Sequence, residues 1–150
     1  MIFFDTDCLS AFLWVKEEHL LVSLNLGQLV LPRLVHAELS NPSVRHLGKQ
    51  VDKLINGGHM RIMEIMTGTE EERLFRKMTT NPVCGLVPIG RGEAAALVLA
   101  KAHDGVVASN NLKDIGPYIA RWGLRRMPTD SFSKYYSLVY PQDEAAASSE

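Results

Sequence analysis

The sequence has 150 residues, about the length of one globular domain, and its 46% hydrophobic and 22% charged residues are typical of a chain that buries a core. The formal net charge of −1 excludes a protein that holds nucleic acid by bulk positive charge alone. No apolar run approaches the roughly 20 residues that a membrane-spanning helix needs, and residues 1–5 lack the basic stretch of a signal peptide, so we expect a cytoplasmic protein.

The first half of the chain alternates short apolar runs, which predict strands, with segments that have apolar residues at helical spacing. In chain order it predicts a strand at 2–4, a helix from Asp7 to about Leu26, a strand at 29–31, a helix from Arg33 that breaks before Pro42, a helix over 44–55 that Gly57-Gly58 ends, and a strand at 59–66. The break before Pro42 is expected because the residue that precedes a proline avoids the α conformation.

The second half of the chain continues this alternation. It predicts a helix that Thr69 caps and that runs to about Thr80, a loop at 89–92, a helix over 93–103, a strand at 106–108, a helix from the Asn110-Asn111 turn to Trp122, a strand at 124–127 and a final helix from Thr129 to Val139. The alanine-rich helix over 93–103 is apolar nearly all round, which is typical of a helix that is buried against a sheet.

Strands that alternate with helices favour parallel pairing. We therefore predict an α/β fold, a three-layer α/β/α sandwich with a central parallel sheet of about five strands. One domain should cover 1–140, and residues 141–150, which carry three acids and no base, should form a flexible acidic tail. In such sheets, ligands bind outside the carboxyl ends of the strands.

Three carboxylates stand near the predicted ends of strands. Asp5 follows the first strand, Glu38 lies on the helix after the second, and Glu93 begins the buried helix before the fourth. Converging carboxylates repel one another by roughly 4 kcal/mol per close pair at an effective dielectric constant of about 20, so a cluster implies a bound cation or raised pKa values. Mg²⁺ and Mn²⁺ prefer such oxygen ligands. Taken singly, each acid is equally consistent with a structural role as a cap, a solvated residue or a partner of a helix dipole.

Four segments in succession resemble the motifs of PIN domains, and together they span nearly the whole chain. Residues 3–9 (FFDTDCL) resemble the family's opening strand, in which an aspartate precedes a small hydroxyl or amide residue. Residues 36–39 (HAEL) resemble its second acidic motif, and 90–97 (GRGEAAAL) are similar to the Gly-x-Gly-Glu-Ala segment of one subgroup, that of the VapC-like ribonuclease toxins. Residues 106–111 (VVASNN) fall where PIN domains have a strand that ends in Thr or Ser and one or two aspartates.

This resemblance implies hydrolysis of RNA with Mg²⁺ or Mn²⁺ as cofactor, often by the toxin of a toxin–antitoxin pair. The metal ligands that it implies are Asp5, Glu38 and Glu93, and the hydroxyls that it places near the metal or the scissile phosphate are those of Thr6 and Ser109. Arg91, beside the proposed acids, and Asn110 are further candidates for binding the RNA.

The chain departs from the family pattern at the fourth acidic position, where Asn110-Asn111 removes one formal charge. Fewer charges should weaken the binding of a second cation. Three interpretations stay open: the site binds one metal and still cleaves RNA, with Asn111 in the catalytic set; Asp114 or Asp7 supplies the missing carboxylate; or the fold is kept without nuclease activity. The two asparagines are also typical of a turn and a helix cap.

Other features concern partners. The apolar positions of the helix over 44–55 exceed what a lone surface helix needs, so we expect a homodimer or a partner peptide to cover part of this helix or its neighbours. These positions are Val44, Leu47, Val51, Leu54 and Ile55. An antitoxin protein is a further possible partner. Arg121, Arg125 and Arg126 beside Trp122 are interpreted as a solvated surface around a core tryptophan rather than as a base-stacking site.

Two functions compete with that of a ribonuclease. The first is a non-catalytic module that binds RNA or a protein through the same fold. The second is a small phosphatase of the haloacid dehalogenase type, since 5–7 reads Asp-Thr-Asp after a strand and Asp5 would then be the nucleophile. The later lysine and Gly-Asp pair that such a phosphatase requires have no convincing equivalent here.

Overall fold

The computed structural model describes residues 1–14, 18–24, 29–82, 85–132 and 134. The elements in these ranges are β1 (Ile2–Phe4), α1 (Thr6–Trp14), α2 (Glu18–Leu24), β2 (Leu29–Pro32), α3 (Arg33–Leu39), a 3-10 turn (Pro42–Val44), α4 (Arg45–Asn56), β3 (Met60–Met63), α5 (Glu70–Thr80), α6 (Arg91–His103), β4 (Val106–Ala108), α7 (Leu112–Trp122) and β5 (Arg125–Met127). None of the described helices has the length and apolar character needed to cross a membrane.

The strands form one sheet in the order β3-β2-β1-β4-β5, and all neighbours are parallel. The predicted α/β class and five-stranded parallel sheet are therefore confirmed. β1 lies in the middle of the sheet, with β2 and β3 on one side of it. The chain then crosses over, so that β4 and β5 lie on the other side. Ligands of open parallel sheets bind at the carboxyl edge where the direction of winding switches. Asp5 and Ser109, which follow β1 and β4, lie at this point.

Two apolar clusters cover the two faces of the sheet, because successive side chains of a strand point to opposite faces. Phe3 belongs to one cluster together with buried residues of α6 and α7, and Phe4 belongs to the other together with buried residues of α1, α3 and α4. In α6, Gly92 and every residue from Ala94 to Ala100 are buried. This confirms the predicted three layers and the burial of the alanine-rich helix.

Some element boundaries differ from the predicted ones. The predicted helix from Asp7 to Leu26 is seen as α1 and α2, and its junction at 15–17 and its end lie outside the described residues. The predicted loop at 89–92 is shorter, because α6 begins at Arg91 with Gly90 as its N-cap. Residues 129–132 are helical, whereas most of the predicted final helix and the predicted tail at 141–150 lie outside the described residues.

The apolar face of α4 packs within the chain. Leu47, Val51 and Leu54 are buried in the cluster that contains Phe4, and Val44 and Ile55 pack partly against it. Burial inside one copy accounts for these residues, so they give no support to the predicted homodimer or bound peptide on this face.

Candidate functional site

Carboxylates from several elements gather at the carboxyl edge of the sheet. Asp5 follows β1, Glu38 lies on α3, and Glu93 and Asp114 lie in the first turns of α6 and α7. A hollow of about 100 Å³, here called the acidic hollow, is lined by residues that include Thr6, Asp7, Glu38, Arg91, Gly92 and Glu93. The structure therefore brings most of the sequence-predicted acids to one place.

Asp5 is completely buried, with 0% of its surface exposed. Its Oδ1 accepts a hydrogen bond of 2.8 Å from the Cys8 backbone N–H, so it caps α1. Its Oδ2 is also buried but has no hydrogen-bond partner of normal geometry among the described residues. One oxygen thus has the structural role that a capping aspartate commonly has, and the other is buried beside the Ser109 hydroxyl without a hydrogen bond of normal geometry.

Burial raises the pKa of the Asp5 carboxyl above its ordinary value. The nearby Ser109 hydroxyl and the Cys8 backbone N–H favour the charged form and oppose this rise, whereas the negative charges of Asp7 and Glu38 add to it. Asp7 and Glu38 are exposed, but both lie close enough to Asp5 for their negative charges to act on it. A cation at this edge would offset these charges.

Glu38 is held by a hydroxyl. The Thr6 side chain donates a hydrogen bond to Glu38 Oε2, across the interface between α1 and α3. Gly92 makes room for this pair, because a Cβ at that position would lie 2.6 Å from Thr6 Oγ1 and 3.5 Å from Glu38 Oε1. The glycine next to Glu93 is thus required by the close approach of α6 to α1 and α3.

Asn111 joins two carboxylates. Its Nδ2 donates to Asp114 Oδ2 at 2.8 Å and lies 3.3 Å from both carboxyl oxygens of Glu93. Its Oδ1 accepts from the Asp114 backbone N–H at 3.4 Å and so caps α7. The amide therefore faces the carboxylates with its donor, while its oxygen is used by the cap.

The pKa of Glu93 is raised to about 7. Burial is the main cause, and the hydrogen bond from Asn111 opposes it, while the charges of Asp114, Asp5 and Asp7 raise the pKa further. Asp114, which sequence analysis named as a possible fourth carboxylate, is accordingly close enough to Glu93 to share a hydrogen-bond donor and to act on its charge.

The remaining predicted residues divide between the site and its surroundings. Ser109 is buried and accepts a 3.2 Å hydrogen bond from the Asn111 backbone N–H. Asn110 points elsewhere, since its side chain donates to Thr129 Oγ1 and accepts from the Thr129 backbone N–H, both at 2.7 Å. Arg91 lies at the rim of the acidic hollow, with its guanidinium carbon 5.8 Å from the centre of the Phe75 ring.

Two supporting contacts come from neighbouring elements. The Cys8 backbone N–H holds Asp5, and Arg126 donates a 3.0 Å hydrogen bond to the backbone oxygen of Ser109. The first is the cap that sequence analysis gave as an alternative role for Asp5, although α1 begins at Thr6 and not at the predicted Asp7. The second depends on the pairing of β4 with β5, for which the sequence carries no local signal.

The donors at this edge fit a hard cation, because they are carboxylate oxygens and one of them is buried and unpaired. Nevertheless, no group of three or more acidic, histidine or cysteine side chains in the described ranges is already arranged as a metal cage. Hydrogen bonds from Thr6 and Asn111 occupy several of the oxygens instead. The predicted metal set of Asp5, Glu38, Glu93 and Asp114 stays a prediction.

Comparison with protein-family profiles gives no match, and comparison with curated protein sequences gives none either. Among solved structures, a chain of FitAB bound to the IR36 DNA fragment is similar, with a TM-score of 0.56 and 15% sequence identity over 86% of this chain and 95% of that one. At this identity the likeness concerns the fold and not the chemistry of the site. Together with the parallel sheet between two layers of helices, it supports a PIN-like fold for this chain.

Proposed function

We propose that this chain is a metal-dependent endoribonuclease. The observation that carries the proposal is the buried Asp5 carboxylate, whose Oδ2 lacks a partner among the described residues and which lies among further carboxylates. A buried charge without compensation is costly, so such a group is expected either to be protonated or to meet a cation. The motifs that resemble PIN domains favour the cation, and with it the hydrolysis of RNA.

The residues that would hold Mg²⁺ or Mn²⁺ are Asp5, Glu38, Glu93 and Asp114. When bound, such an ion supplies an activated water and neutralises charge on the phosphate. The other residues orient these carboxylates: the Thr6 hydroxyl restrains Glu38, and the Asn111 amide restrains Glu93 and Asp114. Arg91, exposed at the rim, is placed to bind a phosphate of the RNA backbone.

The segment 90–97, similar to that of the VapC-like subgroup, supports the narrower proposal of a toxin with an antitoxin protein as partner. Association into a homodimer belongs to the same proposal. The apolar side chains of α4 do not support a partner surface there, because they are largely buried in the chain itself.

A specific observation favours the second candidate, a non-catalytic RNA- or protein-binding module. Asn111 places a donor between Glu93 and Asp114, and hydrogen bonds of this kind satisfy carboxylates without any ion. The phosphatase has less support, because its nucleophile would be Asp5, which is fully buried and has one oxygen held by a backbone N–H.

Replacing Asp5 with asparagine tests the nuclease. Asp5→Asn removes the buried charge and should lower both Mn²⁺ affinity and metal-dependent RNA cleavage by about 100-fold or more, since even indirect disturbance of a metal site costs about 10–100-fold. Isothermal titration with Mn²⁺ and cleavage of a mixed RNA pool measure the two effects.

Asp104→Asn is the matched control. Asp104 is exposed at the opposite end of α6 from Glu93, and its left-handed backbone conformation, with φ of 51°, is one that asparagine tolerates. This variant should bind Mn²⁺ and cleave RNA as the wild type does. Equal activity of Asp5→Asn and wild type would contradict the proposal. Absence of both Mn²⁺ binding and cleavage in the wild type would leave the binding module as the better function.

A further inference from the structure

A second and larger hollow opens beside the acidic one, at the carboxyl ends of β2 and β3. Its volume is about 290 Å³, and we call it the side groove. Its apolar lining includes Leu34, Met63, Ile65 and Phe75, and all four are only partly buried. Arg91 lines both the side groove and the acidic hollow. A ligand that reaches from one hollow to the other would therefore pass this guanidinium.

The charged lining of the side groove has an excess of one cation. Arg33 forms an ion pair of 3.5 Å with Glu64, and Arg76 forms one of 3.7 Å with Glu72. Arg91 also lines the groove but has no carboxylate within ion-pair distance in the part of the chain that the structure describes. The uncompensated guanidinium thus stands at the boundary between an anionic hollow and an apolar groove.

We propose that the side groove is the nucleotide subsite of the acidic hollow and takes one base of a single-stranded RNA. The base packs against the Phe75 ring, which the Arg91 guanidinium overlies at 5.8 Å from the ring centre, and the adjoining phosphate binds Arg91. Aromatic rings and guanidinium groups are general platforms for unpaired bases. This inference rests on the proposed function and makes its substrate single-stranded.

The chemistry of the groove favours a nucleotide over a peptide. A base needs a flat ring to stack on, and Phe75 supplies one, while the phosphate needs a cation without an ion-pair partner, which Arg91 supplies. A duplex keeps its bases stacked inside and cannot place one in the groove. The proposal therefore predicts a strong preference for single strands.

The test measures the binding of short fluorescent RNAs to the whole chain in EDTA, where no cleavage interferes. The probes are a single-stranded RNA of mixed sequence, an abasic strand of equal length and an RNA duplex. Wild type should bind the single strand most tightly. Phe75→Leu, which keeps most of the apolar volume but removes the flat ring, should weaken this binding by about tenfold, as expected for the loss of one base–aromatic stack. Its affinity for the abasic strand and the duplex should stay unchanged.

Matched variants separate recognition from packing. Phe75→Tyr keeps the ring and should bind the single strand as wild type does. Leu74→Ala shortens a neighbouring side chain of α5 that is partly buried but does not line the side groove, and it should leave RNA affinity unchanged. Arg91→Gln should weaken binding of both the single strand and the abasic strand severalfold, whereas Arg45→Gln, at an exposed site on α4, should have little effect.

The outcomes of this test differ from those of the nuclease test. Unchanged single-strand affinity in Phe75→Leu, or no binding of single-stranded RNA by wild type, overturns the subsite even if the protein cleaves RNA, and the groove then suits a peptide better. Binding that depends on Phe75, in a protein that neither binds Mn²⁺ nor cleaves RNA, supports the subsite and removes the nuclease.

Discussion

The side chain of Asn111 would stabilise the carboxylates around it when no metal is bound, and it would add no charge to attract one. Its amide nitrogen lies near the carboxyl oxygens of Glu93 and Asp114, so it reduces their repulsion without adding charge. A carboxylate in the same place would supply another metal ligand, but it would remove the donor and place three acids in contact. If a cation binds here, the departure from the PIN pattern at Asn111 would lower its affinity while favouring the stability of the metal-free protein.

Asn111→Asp should make the stability of the protein depend on the cation. In EDTA we expect its free energy of unfolding to fall by about 1–3 kcal/mol, because a half-buried donor is lost and like charges meet. Saturating Mn²⁺ should recover most of this loss, so that the ion stabilises the variant more than the wild type. Urea unfolding with and without Mn²⁺ measures both quantities. Asn111→Ser, which keeps a capping side chain without charge, serves as the control. Equal stability of Asn111→Asp and wild type in EDTA would contradict this account.

The two neighbouring asparagines also show where prediction from sequence stops. The turn and the cap were predictable, because asparagine favours both. The local pattern does not tell which of the two faces the acids, although the resemblance to PIN domains put Asn111 in the catalytic set. Asn110 meets Thr129 and Asn111 meets Glu93, and these contacts join residues 19 and 18 positions apart. Such partners depend on how α6, α7 and the segment after β5 are arranged around the sheet.

At the scale of elements, the succession of strands and helices could be predicted from local patterns. The strand at 106–108, for example, is a short apolar run that ends at an asparagine turn, and β4 occupies it. Thr69 and Glu72 predicted the start of α5, where Thr69 Oγ1 accepts from the Glu72 backbone N–H at 3.3 Å. The start of α6 was placed two residues too late, because glycines usually indicate a loop, whereas here Gly92 belongs to the helix. Its reason is tertiary: α6 packs too closely on Thr6 for any side chain.

Gly92→Ala tests this packing. The new Cβ would lie 2.6 Å from Thr6 Oγ1, so the Thr6 side chain must turn away from Glu38. We expect a loss of about 1–3 kcal/mol in the free energy of unfolding, as is usual for overpacking, together with weaker Mn²⁺ binding. Urea unfolding and calorimetric titration measure these effects.

Gly116→Ala provides the comparison within the same chain. A Cβ there would lie 3.5 Å from Leu112 Cδ1, an ordinary contact, but it would also precede Pro117, whose ring disfavours a side chain before it in a helix. We therefore expect Gly116→Ala to lose some stability without any change in Mn²⁺ binding. If Gly92→Ala were as stable as Gly116→Ala and bound Mn²⁺ normally, the close approach of α6 would have no bearing on the site.

At the scale of the whole molecule, the fold concentrates negative charge at one edge of the sheet. The winding order places the ends of β1 and β4 next to each other, and α3, α6 and α7 bring their acids to the same edge. The sequence predicted this edge from the alternation of elements alone. It did not predict the side groove, because that surface combines residues of β2, β3, α5 and α6 that share no motif.

The partial burial of Glu93, together with the charges around it, should make the stability of the metal-free protein fall as pH rises. Glu93 has a pKa of about 7 in the folded protein against an ordinary value of 4.5, so between these values the folded state binds more protons than the unfolded state. The contribution of Glu93 to the free energy of unfolding is therefore fully present below pH 4.5 and is lost as pH rises towards 7. Glu93→Gln, which is always neutral, should not show this part of the decline, so its advantage over wild type in EDTA should grow through this range. Urea unfolding at a series of pH values measures it.

Glu70→Gln is a control of opposite sign. The hydrogen bond from the exposed Arg73 lowers the pKa of Glu70, so the contribution of this carboxylate is present above its ordinary pKa and is lost as pH falls through the lowered value. Glu70→Gln should therefore be slightly less stable than wild type near neutral pH, and this difference should shrink in acid.

Saturating Mg²⁺ should remove the advantage of Glu93→Gln, because the cation favours the charged form of Glu93 in the wild type. Parallel stability curves for wild type and Glu93→Gln in EDTA would show that Glu93 is not held in a shared negative potential, and the case for a cation at this edge would then rest on Asp5 alone.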